Sequence, residues 1–115
     1  MEAQIEVVET AYEFMLAYAA QGREDDVDGP GQKARTVLGD LDRALADLAS
    51  TLNRQEPFHE VVREDVAKTR KALGLALRSP RISSELVDNL NASMHLRAVL
   101  TDLFLISEAA RIRSD

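Results

Sequence analysis

The stretch LRAVLTDLFLI, residues 96–106, decides how this chain folds. It contains four consecutive large apolar residues, Leu103, Phe104, Leu105 and Ile106. Successive residues of an α-helix lie about 100° apart, so this run puts apolar side chains on every side of one turn. A helix that is apolar all round has to be buried all round. The rest of the chain, or a second copy of it, must therefore surround this segment.

Three further segments have the apolar spacing of amphipathic helices. The first covers residues 2–21, the second covers residues 32–54, and the third begins at Pro57 and ends before Ser79-Pro80. Proline suits the first turn of a helix, and the residue before a proline avoids helical geometry. Between the first two helices, the stretch GREDDVDGPG at residues 22–31 is rich in glycine and acidic residues, and it predicts a solvated, mobile loop.

The C-terminal part predicts a fourth helix that begins after Ser83, a good N-cap residue, and ends at Ile112. Such a helix is about 45 Å long, whereas the first two helices are about 30 Å long. Polar residues cluster at 89–93 and offer a place for a break, but we expect a continuous helix. The predicted fold is an all-α, up-and-down four-helix bundle with a long C-terminal helix, formed by a single domain of residues 1–115.

The composition limits the possible functions. A chain of 115 residues with 45% hydrophobic and 30% charged residues suits one folded domain. It has no Cys, which excludes disulfides, thiolate metal sites and thiol catalysis. No apolar run approaches the roughly 20 residues of a membrane-spanning helix. The segment MEAQIEVVE is acidic where an export signal is basic, so we expect a cytoplasmic protein that does not bind membranes.

Charge is distributed unevenly along the chain. The net charge of −6 disfavours binding to the phosphates of nucleic acids. An acidic stripe follows one face of the first helix: Glu2, Glu6, Glu9 and Glu13. A basic stripe follows one face of the third helix: Lys68, Lys71 and Arg78. We expect the two stripes to face each other, within one chain or across a dimer; the alternative is that the basic stripe binds an anion or an acidic partner.

The sequence contains no convincing metal-binding or catalytic motif. Glu56 and His59 have the Glu-x-x-His spacing of di-iron bundles, but a second such element is missing, and Pro57 favours a capping role for Glu56. The stretch DDVDG suggests a calcium loop, but Arg35 stands where that loop needs its bidentate acid. We therefore expect no metal, no cofactor and no enzymatic activity.

Two residues of the C-terminal segment support an alternative function. His95 shares a polar helical face with Asp88, Asn91 and Asp102, and we interpret it as a surface histidine. Arg97 emerges from a mostly apolar track, which is typical of a snorkelling side chain or of an ion pair at an interface edge. The alternative is a small helical enzyme or anion binder that uses Arg97 or His95.

We interpret the chain as a non-enzymatic interaction module: an adaptor, a regulator or a chaperone-like protein that binds a partner helix or its own copy. The first and fourth helices present more apolar surface than four helices of one chain are expected to cover. We expect a homodimer whose contacts come from the opening stretch: Leu96, Val99, Leu100, Leu103, Phe104 and Ile106. Contacts to an anion or to an acidic partner are expected from four basic residues: Lys68, Lys71, Arg78 and Arg97.

Overall fold

Five α-helices make up the protein in the computed structural model, which describes residues 1–29 and 31–114. They are α1 (Glu2–Ala19), α2 (Gly31–Thr51), α3 (Pro57–Leu77), α4 (Ser84–Ala92) and α5 (His95–Ser114). These described residues contain no strand. The helices form an elongated bundle with dimensions of 47 × 24 × 21 Å. The predicted all-α bundle is therefore confirmed.

The helices follow an up-and-down order. Each of the first three helices contacts the next one along the chain, α3 contacts α5, and α5 contacts α1. The helix α4 packs mainly against α1, near the end of the bundle where α1 stops and α2 starts; we call this the upper end. Together, α4 and α5 take the place of the single fourth helix that the sequence predicts.

The predicted continuous helix from Ser83 to Ile112 is wrong, because the chain breaks between α4 and α5. Met94 has φ of 68°, in the left-handed region that residues with a side chain rarely adopt. Just before it, the Ser93 hydroxyl donates a hydrogen bond of 2.6 Å to the Leu90 carbonyl, which competes with the helical pattern. The break lets α4 pack against α1 while α5 packs mainly against α3. One straight helix would exceed the length of its neighbours.

Pairing of the acidic and basic stripes within one chain is also wrong. The stripes lie on α1 and α3, which are diagonal to each other and have no contact among the described residues. All four glutamates of the acidic stripe and all three cations of the basic stripe are exposed. In an up-and-down bundle, the first and third helices are separated by the core, so their outer faces point away from each other.

The loop at residues 22–29 is not the free, solvated connection that its composition predicts. Arg23 and Asp26 of the loop form hydrogen bonds with Ser84 and Ile82, which lie 61 and 56 residues further along the chain. The Tyr18 hydroxyl donates a hydrogen bond of 2.6 Å to the Ile82 carbonyl. Ser84 joins the same contact: its hydroxyl donates to the Tyr18 carbonyl over 2.7 Å and accepts from the Arg23 amide over 2.8 Å. These buried or half-buried hydrogen bonds connect the start of α4 to the end of α1.

Asp26 and Arg35 connect three elements at this upper end. One carboxylate oxygen of Asp26 accepts a hydrogen bond of 2.9 Å from the Ile82 amide, and the other lies 3.2 Å from Nε of Arg35. The Arg35 guanidinium also donates to the carbonyls of Leu77 and Ser79, over 2.8 and 3.2 Å. Carbonyls at a helix C-terminus lack partners within the helix, so Arg35 satisfies the end of α3.

Candidate functional site

Four of the six predicted contact residues of α5 are buried inside the chain. Each of them is at most 6% exposed: Leu96, Val99, Leu100 and Leu103. They belong to one apolar core that also includes residues of the other four helices. On this side of the segment, α3 and α1 of the same chain provide the cover.

The opposite side of α5 faces outwards and carries large apolar side chains. Phe104 is 51% exposed, Leu105 is 56% exposed and Ile112 is 60% exposed. Ile106, the sixth predicted contact residue, is half-buried against the core. We use the name α5 face for the outward residues that share this side of the helix: Arg97, Thr101, Phe104, Leu105, Glu108 and Ile112. Of these, only Phe104 and Arg97 are contacts that the sequence predicts, and Thr101, Leu105, Glu108 and Ile112 are additional.

A shallow groove of about 280 Å³ lies beside the α5 face, between α5 and the start of α3. Its apolar floor comes from both helices, and its rim carries three polar residues: Glu56, His59 and Arg113. Glu56 accepts a hydrogen bond of 3.3 Å from the Phe58 amide, which confirms its predicted role as the cap of α3. Nδ1 of His59 accepts a hydrogen bond of 2.8 Å from the Asn53 amide. Both side chains thus support the connection between α2 and α3.

Other predicted site residues are distributed over separate surfaces. Arg97 is exposed on the α5 face, and His95 is half-buried as the first residue of α5. The basic stripe lies on the outer face of α3, around Leu75, which is 64% exposed. Within the described residues, no three His, Asp or Glu side chains are grouped so that they could hold a metal ion.

Asp65 of α3 and Asp102 of α5 form a carboxyl pair that the sequence did not predict. Oδ2 of Asp102 is buried, and as a carboxylate it has no hydrogen-bond donor. Burial raises the pKa of Asp102 to about 7, and the adjoining Asp65 carboxyl contributes by hydrogen bonding and by its negative charge. Below neutral pH the Asp102 carboxyl is therefore protonated, and its proton allows a hydrogen bond with the Asp65 carboxyl.

This pair predicts that stability falls as the pH rises through about 7. An unfolded Asp has a pKa of about 3.9, so between that pH and about pH 7 the folded chain binds one more proton than the unfolded chain. This extra proton stabilises the fold, and the stabilisation is lost as the pH rises through the pKa of the folded state. Replacing Asp102 by Asn should raise the free energy of unfolding by about 1–2 kcal/mol at pH 8, and by much less at pH 5. Urea unfolding at both pH values measures this difference, with the exposed Asp88→Asn as control. An equal effect at both pH values would contradict it.

Comparison with protein-family models, with curated protein sequences and with solved structures gave no match to this chain. Among the described residues, no helix combines the length and the apolar character needed to span a membrane. The geometry of the surfaces is therefore the basis for the function proposed below.

Proposed function

We propose that this protein is a non-enzymatic interaction module that forms a homodimer through the α5 face. The observation that supports the proposal is the exposure of Phe104, Leu105 and Ile112 on one side of a single helix, each by more than half of its surface. Isolated apolar side chains are normal on a protein surface, whereas a grouped patch is typical of an interface. Phenylalanine is also among the residue types enriched in the cores of protein interfaces.

The charges on the α5 face favour a second copy as the occupant. Arg97 stands near the start of α5, and Glu108, which forms an ion pair with Arg111 of the same helix, lies about three turns further along, so the face carries both signs. In an antiparallel pairing of two α5 helices about a two-fold axis, Arg97 of each copy faces Glu108 of the other, and Phe104 of each copy lies beside Thr101 of the other. A two-fold interface uses the same patch on both copies and must therefore be complementary to itself. The mixed charges of this face meet that requirement.

Sedimentation equilibrium at micromolar concentration tests the proposal. We expect a mass of about twice the 12.7 kDa of one chain. Replacing Phe104 by Glu should weaken the dimer by at least about tenfold, because the substitution puts a charge into a desolvated contact. The matched control is Leu75→Glu, which also replaces an exposed apolar residue but lies on α3, outside the α5 face. A monomeric wild-type protein, or an equal effect of the two substitutions, would rule out this dimer.

A further inference from the structure

A groove with an apolar floor runs along the contact between α1 and α2, on a different side of the bundle from the α5 face. It consists of two adjoining depressions of about 310 and 300 Å³, which share Ala3, Val7 and Asp40. Alanines at positions 3, 11 and 44 keep the groove open. Val7 is 39% exposed and lies where the two depressions meet. On α2 the groove extends from Val37 to Asp47, about 15 Å or nearly three helical turns.

The polar residues of this α1–α2 groove carry a net negative charge. Three carboxylates contribute to its lining: Glu6, Asp40 and Asp47. The one cation in the lining, Arg43, forms an ion pair with Asp40, one turn away on the same helix. Gln4 also lines the groove, and its side-chain oxygen is buried without a hydrogen-bond donor. The groove thus offers two apolar depressions and an acidic rim.

We propose that the α1–α2 groove binds a basic amphipathic helix of a partner protein. A helix that lies along the groove places two aliphatic side chains, one or two turns apart, into the depressions on either side of Val7. Lysine or arginine side chains that flank this apolar stripe contact Glu6 and Asp47 at the rim. Helix-in-groove recognition uses this combination of apolar anchors and flanking charge.

The negative charge of the groove argues against a second copy of the chain as its occupant. A two-fold contact between two such grooves would bring Glu6, Asp40 and Asp47 of both copies together, and like charges at an interface are costly. The α5 face carries both signs, so it suits its own copy, whereas the α1–α2 groove suits a cation-bearing partner. The two surfaces therefore predict binding events that do not depend on each other.

Titration of the full-length protein with two labelled peptides tests the proposal by fluorescence anisotropy. The first is a helical peptide of about 18 residues, long enough to be partly helical alone, with Leu along one face and Lys on both flanks. The second peptide has Glu in place of Lys. We expect the basic peptide to bind at low salt and more weakly at high salt, and the acidic peptide to bind at least about tenfold more weakly.

Protein variants then locate the binding surface. Reversing Glu6 and Asp47 to Lys should weaken binding of the basic peptide by at least about tenfold. The matched control reverses Glu9 and Glu13 to Lys, which makes the same change in net charge on exposed positions outside the groove. A second variant, Ala3→Phe, fills the groove without altering the charge and should also weaken binding. The Phe104→Glu protein should bind the peptide normally, so this test is separate from that of the homodimer.

Four outcomes of the peptide-binding experiments would overturn the proposal. They are the absence of binding by the basic peptide, equal binding of the acidic peptide, an equal loss of affinity in the charge-matched control, and normal binding by the Ala3→Phe protein. If the Ala3→Phe protein were monomeric where the wild type is a dimer, the occupant of the groove would be a second copy of the chain. That result would also overturn the proposal.

Discussion

Replacing Leu103 by Ala is expected to lower the free energy of unfolding by about 3 kcal/mol. Leu103 has no exposed surface and is part of the core that all five helices share. Removing a buried leucine side chain loses its transfer free energy and leaves a cavity that the surrounding helices fill only in part. Urea unfolding followed by circular dichroism, at a concentration low enough for the monomer to dominate, measures the effect.

Leu105 is the matched control, because it is the same residue type two positions along the same helix. It is 56% exposed, so Leu105→Ala should change the free energy of unfolding by no more than about 0.5 kcal/mol. Leu105→Ala should instead weaken the proposed dimer in the sedimentation experiment, because it removes part of the α5 face. Equal losses of stability in the two variants would contradict the burial of Leu103 and the exposure of Leu105.

Replacing Asp26 by Ala is expected to cost about 2–3 kcal/mol of stability, although the residue lies in an acidic loop. The substitution removes the acceptor of the Ile82 amide and the ion-pair partner of Arg35 at once. A buried donor that loses its acceptor costs its desolvation energy. The control is Asp28→Ala, because the Asp28 side chain is 85% exposed and its ion pair with Arg23 is a surface contact, worth less than about 1 kcal/mol.

Asp26 also predicts a loss of stability in acid. Burial alone would raise its pKa, but the hydrogen bonds from Ile82 and Arg35, together with the Arg35 charge, lower the pKa below its ordinary value. An Asp with a lowered pKa in the folded state stabilises the fold above its unfolded pKa of about 3.9, and this contribution disappears as the pH falls through the folded pKa. The unfolding free energy of the wild type should therefore fall more steeply below about pH 4 than that of Asp26→Ala. Parallel pH profiles would contradict this role.

The secondary structure follows from local patterns, and the sequence predicts most of it. Apolar spacing, the proline at position 57 and the Ser83 cap depend on neighbours within one or two turns, which the sequence shows directly. The all-α bundle with an up-and-down order follows from four such segments and short connections. The break at Met94 was harder to predict, since an exposed methionine has no intrinsic preference for the left-handed region. It results from the packing of α4 and α5 against different neighbours.

Which side of each helix is buried depends on how whole helices pack against one another, so only the tertiary structure determines it. The run of four large apolar residues is compatible with burial on any side; packing against α3 buried Leu103 and left Phe104 and Leu105 in solvent. The carboxyl pair joins residues 65 and 102, and the Asp26 contacts join a loop to a connection 56 residues away. Such contacts leave no periodic trace, because they depend on which helices become neighbours. The sequence by itself therefore determined the helices and their apolar faces, and the tertiary structure determined which parts of those faces remain open for a partner.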